Sequence, residues 1–192
     1  LEINNSTATA TLKKQDGSYF DTFFNYTFAY DMRNQKYKPT DGYISRFTQN
    51  VPLLSDSYDL KNNYDLKLYN QFFNENILTW GFYASVANSI NGKNVKLSDR
   101  LFLPANRLRG FEAGKVGPRD GNDFIGGNYV LAFNANTNLP QLFPSLESMD
   151  LSLFFDAANV WGIDYDNKIG DGGKIRSSIG LAVDLFTPIG PL

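Results

Sequence analysis

Residues 149–160 read MDLSLFFDAANV, and apolar and polar side chains alternate along this stretch. Leu151, Leu153 and Phe155 fall on one side, whereas Asp150 and Asp156 fall on the other. Successive side chains of a β-strand point to opposite faces of the sheet, so this period of two predicts a strand with one apolar and one polar face.

The same alternation recurs along the chain and predicts an all-β protein of about seven antiparallel strands with no helix. Most of these stretches exceed the roughly 5 or 6 residues usual in soluble sheets. They reach the roughly 9 to 11 residues that a tilted strand needs to cross a bilayer. Strand length therefore favours a transmembrane β-barrel. The clear stretches are 18–30, 64–73, 77–88, 149–160 and 174–187, and the weaker ones are 43–51 and 128–138.

The connections between these stretches are also informative. We expect tight turns to alternate with long loops, as in outer-membrane barrels. Residues 52–63 form one predicted connection, residues 74–76 a tight turn, and residues 89–127 the longest connection of all. No second domain is visible, so residues 1–192 are treated as one domain.

Composition excludes several classes of function. The formal charge of −2 and the pI near 5.1 argue against a nucleic-acid partner. The chain has neither cysteine nor histidine, which removes disulfides, zinc sites and the commonest general base. We therefore expect no enzyme, no metal and no cofactor. The chain opens at Leu1 without a visible leader, so it is either cytoplasmic or an internal piece of a larger protein.

One acidic stretch superficially matches a calcium loop. It reads Asp164-Tyr165-Asp166-Asn167-Lys168. Lys168 stands where a ligand is needed and Ile169 stands where glycine is required, so the stretch is predicted to be a solvated loop.

The longest connection contains Leu108, Arg109, Gly110 and Phe111. A buried arginine needs a carboxylate, and the planar guanidinium binds one with two parallel hydrogen bonds. Asp156 lies on the polar face of its strand. If the apolar face contacts lipid, a loop folded back into the barrel lumen would bring Arg109 to Asp156. An exposed arginine in a solvated loop is the alternative.

Further motifs stand at intervals along the chain. Within the longest connection they are Gly117-Pro118-Arg119-Asp120 and Gly126-Gly127-Asn128. Elsewhere they are Pro39-Thr40-Asp41-Gly42, Ser98-Asp99-Arg100-Leu101-Phe102-Leu103, Phe154-Phe155-Asp156-Ala157, Val160-Trp161, Ile175-Arg176-Ser177-Ser178-Ile179-Gly180 and Thr187-Pro188-Ile189-Gly190-Pro191-Leu192.

In this order the motifs resemble those of the BamA family, also known as the bacterial surface antigen barrels, over nearly the whole chain. The resemblance implies an incomplete antiparallel transmembrane barrel, with about seven strands of about sixteen. It implies that amino-terminal strands, periplasmic repeats and the final two strands are absent. It also makes Leu108–Phe111 a lumenal loop motif and Asp156 its partner.

The resemblance also carries functional implications. The whole protein would insert β-barrel proteins into the outer membrane without ATP. Its partners would be unfolded outer-membrane proteins, outer-membrane lipids and accessory lipoproteins. One departure concerns the loop arginine, because the family has a second acidic partner at a position that corresponds by offset to Asn136. Asp156 would then be the single carboxylate. A milder departure is Ala158, where the family tends to have glycine.

Three alternatives remain open at this point. One is a related barrel that assembles autotransporters or serves two-partner secretion. The second is a plain porin. The third is a soluble β-sandwich, which would fold as a monomer without detergent, whereas a barrel fragment with two open sheet edges should aggregate.

Overall fold

The computed structural model describes residues 13, 16–73, 75–139, 149–164, 169–170, 173–187 and 190–191. Within these residues the chain is all-β, and none of their helices is long and apolar enough to cross a bilayer. The long strands are β1 (Asp21–Asp31), β2 (Gly42–Ser55), β3 (Asp59–Phe73), β4 (Asn76–Ser89), β7 (Tyr129–Asn138), β8 (Met149–Trp161) and β9 (Arg176–Thr187), and the two-residue strands are β5 (Arg119–Asp120), β6 (Asp123–Phe124) and β10 (Gly190–Pro191).

The long strands form one open antiparallel sheet. Its order is β1-β2-β3-β4-β7-β8-β9-β10, so each long strand pairs with its neighbour in sequence. This confirms the predicted fold class and all seven predicted strands. The short hairpin β5–β6 stands apart from the sheet.

The predicted connection at residues 52–63 is wrong. Pro52 to Ser55 continue β2, and β3 begins at Asp59, which leaves residues 56–58 as a tight turn. Proline is tolerated because the pairing of β1 with β2 shifts register between Thr22 and Phe23, and proline is common at such bulges. The second and third connections are then both tight turns, so the expected alternation of tight turns and long loops fails there.

The two faces of the sheet differ as the alternation predicts. On the outer face, Phe82, Phe133 and Phe155 are 38%, 38% and 42% exposed. On the inner face, Ala132 and Ala158 are 1% and 2% exposed. The inner side chains are covered by residues 90–128, the connection between β4 and β7, which we call the long loop. The protein's apolar core thus lies between this loop and the sheet.

The inner face is not uniformly polar, contrary to the simple alternation. Val130, Ala132, Ala158 and Val160 are buried there and pack against the long loop. The cause is the loop itself, because a packed loop excludes water and favours apolar contacts along part of the wall.

The connection between β1 and β2 occupies residues 32–41. It is closed by Asn34, whose side chain bonds Thr40. Lys38 reaches Asp150 at the start of β8, four strands away along the sheet, at 2.9 Å. Since such a contact needs the sheet to curl, it agrees with a barrel wall.

A charge on the outer face should be costly if that face contacts lipid. Phe133→Arg in the full-length protein should lower the free energy of unfolding by about 2–4 kcal/mol, the cost of arginine near the bilayer midplane. Urea titration in lipid vesicles measures it, with Phe133→Leu as the apolar control. Equal stability of the two variants would contradict a lipid-facing outer surface.

Candidate functional site

The long loop is closed at its base by the sheet-like pairing of Leu101 with Gly127. Leu101 N–H donates to the Gly127 carbonyl at 2.8 Å, and Gly127 N–H returns a bond to Leu101 at 3.0 Å. Two single turns of 3-10 helix, Leu97–Asp99 and Ala105–Arg107, shape the segment that leads to Arg109. The loop therefore has a defined path across the inner face.

Arg109 binds Asp156 through both arms of its guanidinium. Nε donates to Oδ2 and Nη2 donates to Oδ1, each at 2.8 Å. The backbone N–H of Arg109 adds a third bond to Oδ2 at 3.0 Å. The Asp156 side chain is 0% exposed and that of Arg109 is 31% exposed, so the ion pair is partly shielded from water.

Asn134 and Phe154 complete the surroundings of this ion pair. Asn134 lies opposite Asp156 in the β7–β8 ladder and donates from Nδ2 to Oδ1 at 2.8 Å. The guanidinium carbon of Arg109 stands 3.7 Å from the centre of the Phe154 ring, a cation–π contact. Asp156 therefore accepts four hydrogen bonds, and none of its oxygens lacks a partner.

Sequence reasoning assigned the family's second acidic position to Asn136, and the structure brings a different residue to Asp156. Asn134 occupies that place, whereas Asn136 lies opposite Phe154, one step further along β7. Alternation places both asparagines on the inner face but leaves the pairing register undetermined, so it could not show which of them faces Asp156. Among the described residues, Asp156 remains the one carboxylate paired with Arg109.

The other residues of the motif have distinct environments, and they are Leu108, Gly110 and Phe111. Leu108 is 2% exposed and belongs to the apolar cluster beneath the loop. Gly110 has φ +83°, which an L side chain rarely adopts, so the chain can turn immediately after Arg109. Phe111 is 38% exposed and lies at the loop surface.

Four further ion pairs fasten the long loop to the rest of the chain. Lys96 binds Asp21 of β1 and Asp99 binds Lys61 of β3, each at 2.7 Å. Arg107 binds Asp65 of β3, and Arg100 binds Asp164 beyond β8. None of these pairs was foreseen, because the partners are far apart in sequence and only the folded loop aligns them.

The sequence predicts that Asp164 lies in a solvated loop, but the structure surrounds its carboxylate with hydrogen-bond donors. It accepts hydrogen bonds from the buried Arg100, from the Val95 N–H at 2.7 Å and from Asn128 Nδ2 at 3.0 Å. Residues 165–168 of that stretch lie outside the described residues.

The apolar cluster supplies the second means of attachment. Leu103, Leu108 and Val116 of the loop pack against the inner wall at residues such as Ala158 and Val160. All are at least nine-tenths buried. Burial of apolar surface contributes roughly 25 cal/mol per Å², so this contact stabilises the loop independently of charge.

The glycine-rich landmarks form close contacts with β8. A Cβ on Gly117 would lie 2.8 Å from the Cβ of Val160, and one on Gly127 would lie 2.3 Å from the carbonyl oxygen of Trp161. Gly126 approaches the Leu101 carbonyl in the same way, and Pro118 is fully buried. These residues allow the loop to lie directly against the wall.

The remaining landmarks lie away from the ion pair. Arg119 contacts Phe124 and the Asn122 carbonyl of its own hairpin, while its neighbour Asp120 completes β5. Arg176 is exposed at the start of β9. Gly180 lies under Phe154, whose ring would be 2.9 Å from an added Cβ, so it supports the aromatic platform of Arg109. The final motif at residues 187–192 falls largely outside the described residues.

Comparisons with known proteins agree with this architecture. The family profile described as the Omp85 superfamily domain matches residues 2–192. A SAM50-like protein of Schizosaccharomyces pombe is 27% identical over 94% of this chain and 41% of its own length. Outer membrane protein assembly factor BamA of Nitratidesulfovibrio vulgaris is 26% identical over 96% of this chain and 24% of its own length.

A solved structure shares the fold. The crystal structure of BamA from Haemophilus ducreyi lacking POTRA domains 1–3 superposes with a TM-score of 0.75 at 27% identity, covering 87% of this chain and 36% of that one. The chain therefore spans well under half the length of the relatives that it matches.

The pairing of Arg109 with Asp156 should be energetically coupled. Asp156→Ala in the full-length protein should lower the free energy of unfolding by about 3–5 kcal/mol, because it leaves a partly shielded guanidinium without its carboxylate. The double variant with Arg109→Ala should cost less than the sum of the singles by roughly 0.5–3 kcal/mol. Urea titration in lipid vesicles measures each term.

The exposed pair Lys38–Asp150 provides the control for this cycle. Its side chains are 45% and 42% exposed, so its coupling should stay below about 1 kcal/mol. Coupling at Arg109–Asp156 no larger than this control would show that the buried carboxylate does not hold the loop.

The contact of Gly127 with Trp161 leaves no room for the methyl group of an alanine. Gly127→Ala places Cβ against backbone that cannot move without breaking the Leu101–Gly127 pairing, so a loss of about 1–3 kcal/mol is expected. At Gly173 an added Cβ meets nothing within 4 Å, so Gly173→Ala should change stability by less than about 0.5 kcal/mol. Indistinguishable unfolding midpoints for these two variants would contradict the packing described.

Proposed function

Because the chain belongs to the Omp85 superfamily, we propose that it forms the wall and the lumenal loop of a barrel that folds and inserts β-barrel proteins into an outer membrane. The observation that carries this proposal is the long loop, held on the inner face of a barrel-like sheet by Arg109 and Asp156. The proposed role is assembly without an enzymatic step and without ATP.

The relatives favour assembly over the alternatives. One relative is named a SAM50-like protein and another an outer membrane protein assembly factor. A porin or a secretion channel of the same superfamily would share the barrel. The partners proposed are unfolded β-barrel proteins, outer-membrane lipids and, for a bacterial protein, accessory lipoproteins.

We propose that the membrane is an outer membrane, either bacterial or mitochondrial. Relatives of both kinds match at comparable identity, 26% for the bacterial one and 27% for the fungal one. The sequence-based proposal of a bacterial BamA role is kept as the more specific form, and it rests on the order of the motifs.

In the proposed mechanism the loop fixes the wall rather than reacting with a client. Arg109 links the loop to β8, and Arg107 links it to β3. Strands joined in this way keep their curvature while an incoming strand adds to a sheet edge elsewhere in the barrel. Edge strands offer unpaired N–H and C=O groups, which is the chemistry needed to template a new strand.

Arg109→Ala in the full-length protein tests this function. We expect lower steady-state levels of outer-membrane β-barrel proteins and faster protease cleavage of the long loop, because the anchor at Asp156 is lost. Quantitative immunoblotting of the membrane and limited proteolysis measure the two effects.

The control for this test is Arg119→Ala on the same loop, since the contacts of Arg119 with described residues lie within its own hairpin. It should leave both readouts near wild type. Normal levels of membrane β-barrel proteins in the Arg109→Ala strain, with unchanged cleavage, would remove the support for the proposal.

A further inference from the structure

A cavity of about 360 Å³ lies between the long loop and the inner face of the sheet. It forms where the wall lacks a side chain, at Gly81 of β4. Gly81 pairs with Lys67 of β3 on one side and with Asn134 of β7 on the other. The cavity is thus created by the sequence of β4, and its volume falls in the range of small-ligand sites.

The cavity is positively charged. Three cations line it, Lys67, Arg107 and Arg109, and no carboxylate does so among the described residues. Asp65 and Asp156 neutralise the two arginines from outside the lining. Lys67 has no salt bridge within the described part of the chain, although it interacts electrostatically with Asp65, the partner of Arg107. Three cations therefore share two carboxylates, which leaves a net charge of +1.

Neutral hydrogen-bonding groups surround this charge. Thr79 of β4, Asn136 of β7 and Asn106 of the loop also line the cavity. The Oδ1 of Asn136 is buried without a hydrogen-bond partner in the described structure, although buried polar atoms are normally satisfied. Toward an anion, Asn136 would contribute through its Nδ2 N–H groups, because its Oδ1 can only accept hydrogen bonds.

We propose that this cavity binds a phosphate group, held chiefly by Lys67. The donors approach from β3, β4, β7 and the loop, and the oxygens of a phosphate can accept from all these directions, whereas a carboxylate has only two oxygens. The net charge of +1 matches a singly charged phosphate, either the free anion or the phosphodiester of a lipid headgroup. The essential residue of this site is Lys67, which takes no part in the ion pair between Arg109 and Asp156.

Calorimetric titration of the full-length protein in detergent without phosphate tests the proposal. One arm uses inorganic phosphate and the other uses short-chain phosphatidylglycerol, which distinguishes the free anion from a headgroup. Lys67→Met should weaken binding of the preferred ligand by about tenfold or more, because a charge-assisted hydrogen bond is lost. The control Lys115→Met should leave binding unchanged, since Lys115 is exposed and pairs with Glu112 at the far end of the loop.

A second variant keeps the proposal testable if Lys67→Met fails to fold. Thr79→Val keeps the volume of the side chain and removes its hydroxyl, so it should weaken binding by roughly twofold to tenfold. Absence of binding in both arms, or affinities that neither Lys67→Met nor Thr79→Val changes, would overturn the proposal. Neither result would bear on the proposed assembly function, which is measured on membrane β-barrel proteins.

Discussion

A buried carboxylate is the constraint on which the arrangement of this wall and loop depends. The side chain of Asp156 has no contact with solvent, and an unpaired charge in such a place is strongly destabilising. Its four hydrogen bonds come from the side chain and backbone of Arg109 and from Asn134. Satisfying Asp156 therefore fixes the path of the loop and the register of β7 against β8 together.

A loop of this length loses considerable conformational entropy when it is ordered, and one ion pair cannot offset that loss. The loop is instead attached to the wall at many points along its length. Apolar side chains such as Leu103 and Val116 pack on the wall, and basic residues spread along the loop meet acids on β1, β3, β8 and beyond. The contacts are of unequal value, since the Arg100 and Asp156 side chains are fully buried while Lys61 and Asp99 are 24% and 23% exposed.

The sequence predicts the strands well because lipid on one side and a packed interior on the other impose a strict period of two. It also predicts Arg109 and Asp156, since one is an arginine in a turn-forming motif and the other an acid on the polar side of a strand. It cannot predict Asn134, because alternation defines a face and not a register. It likewise misses the extent of β2, where Pro52 signals a break that a bulge accommodates, and Asp164, whose three donors converge only after folding.

The long loop joins strands that are already joined by the hydrogen bonds of the sheet. This second connection makes the wall more rigid. Asp21 on β1, Asp65 on β3 and Asp156 on β8 are joined through hydrogen-bonded neighbours and again through the loop. Changing the curvature between them would separate several ion pairs and the apolar cluster at once. Among the described residues the loop reaches from β1 to β8, so rigidity resides in the stretch of wall that it crosses.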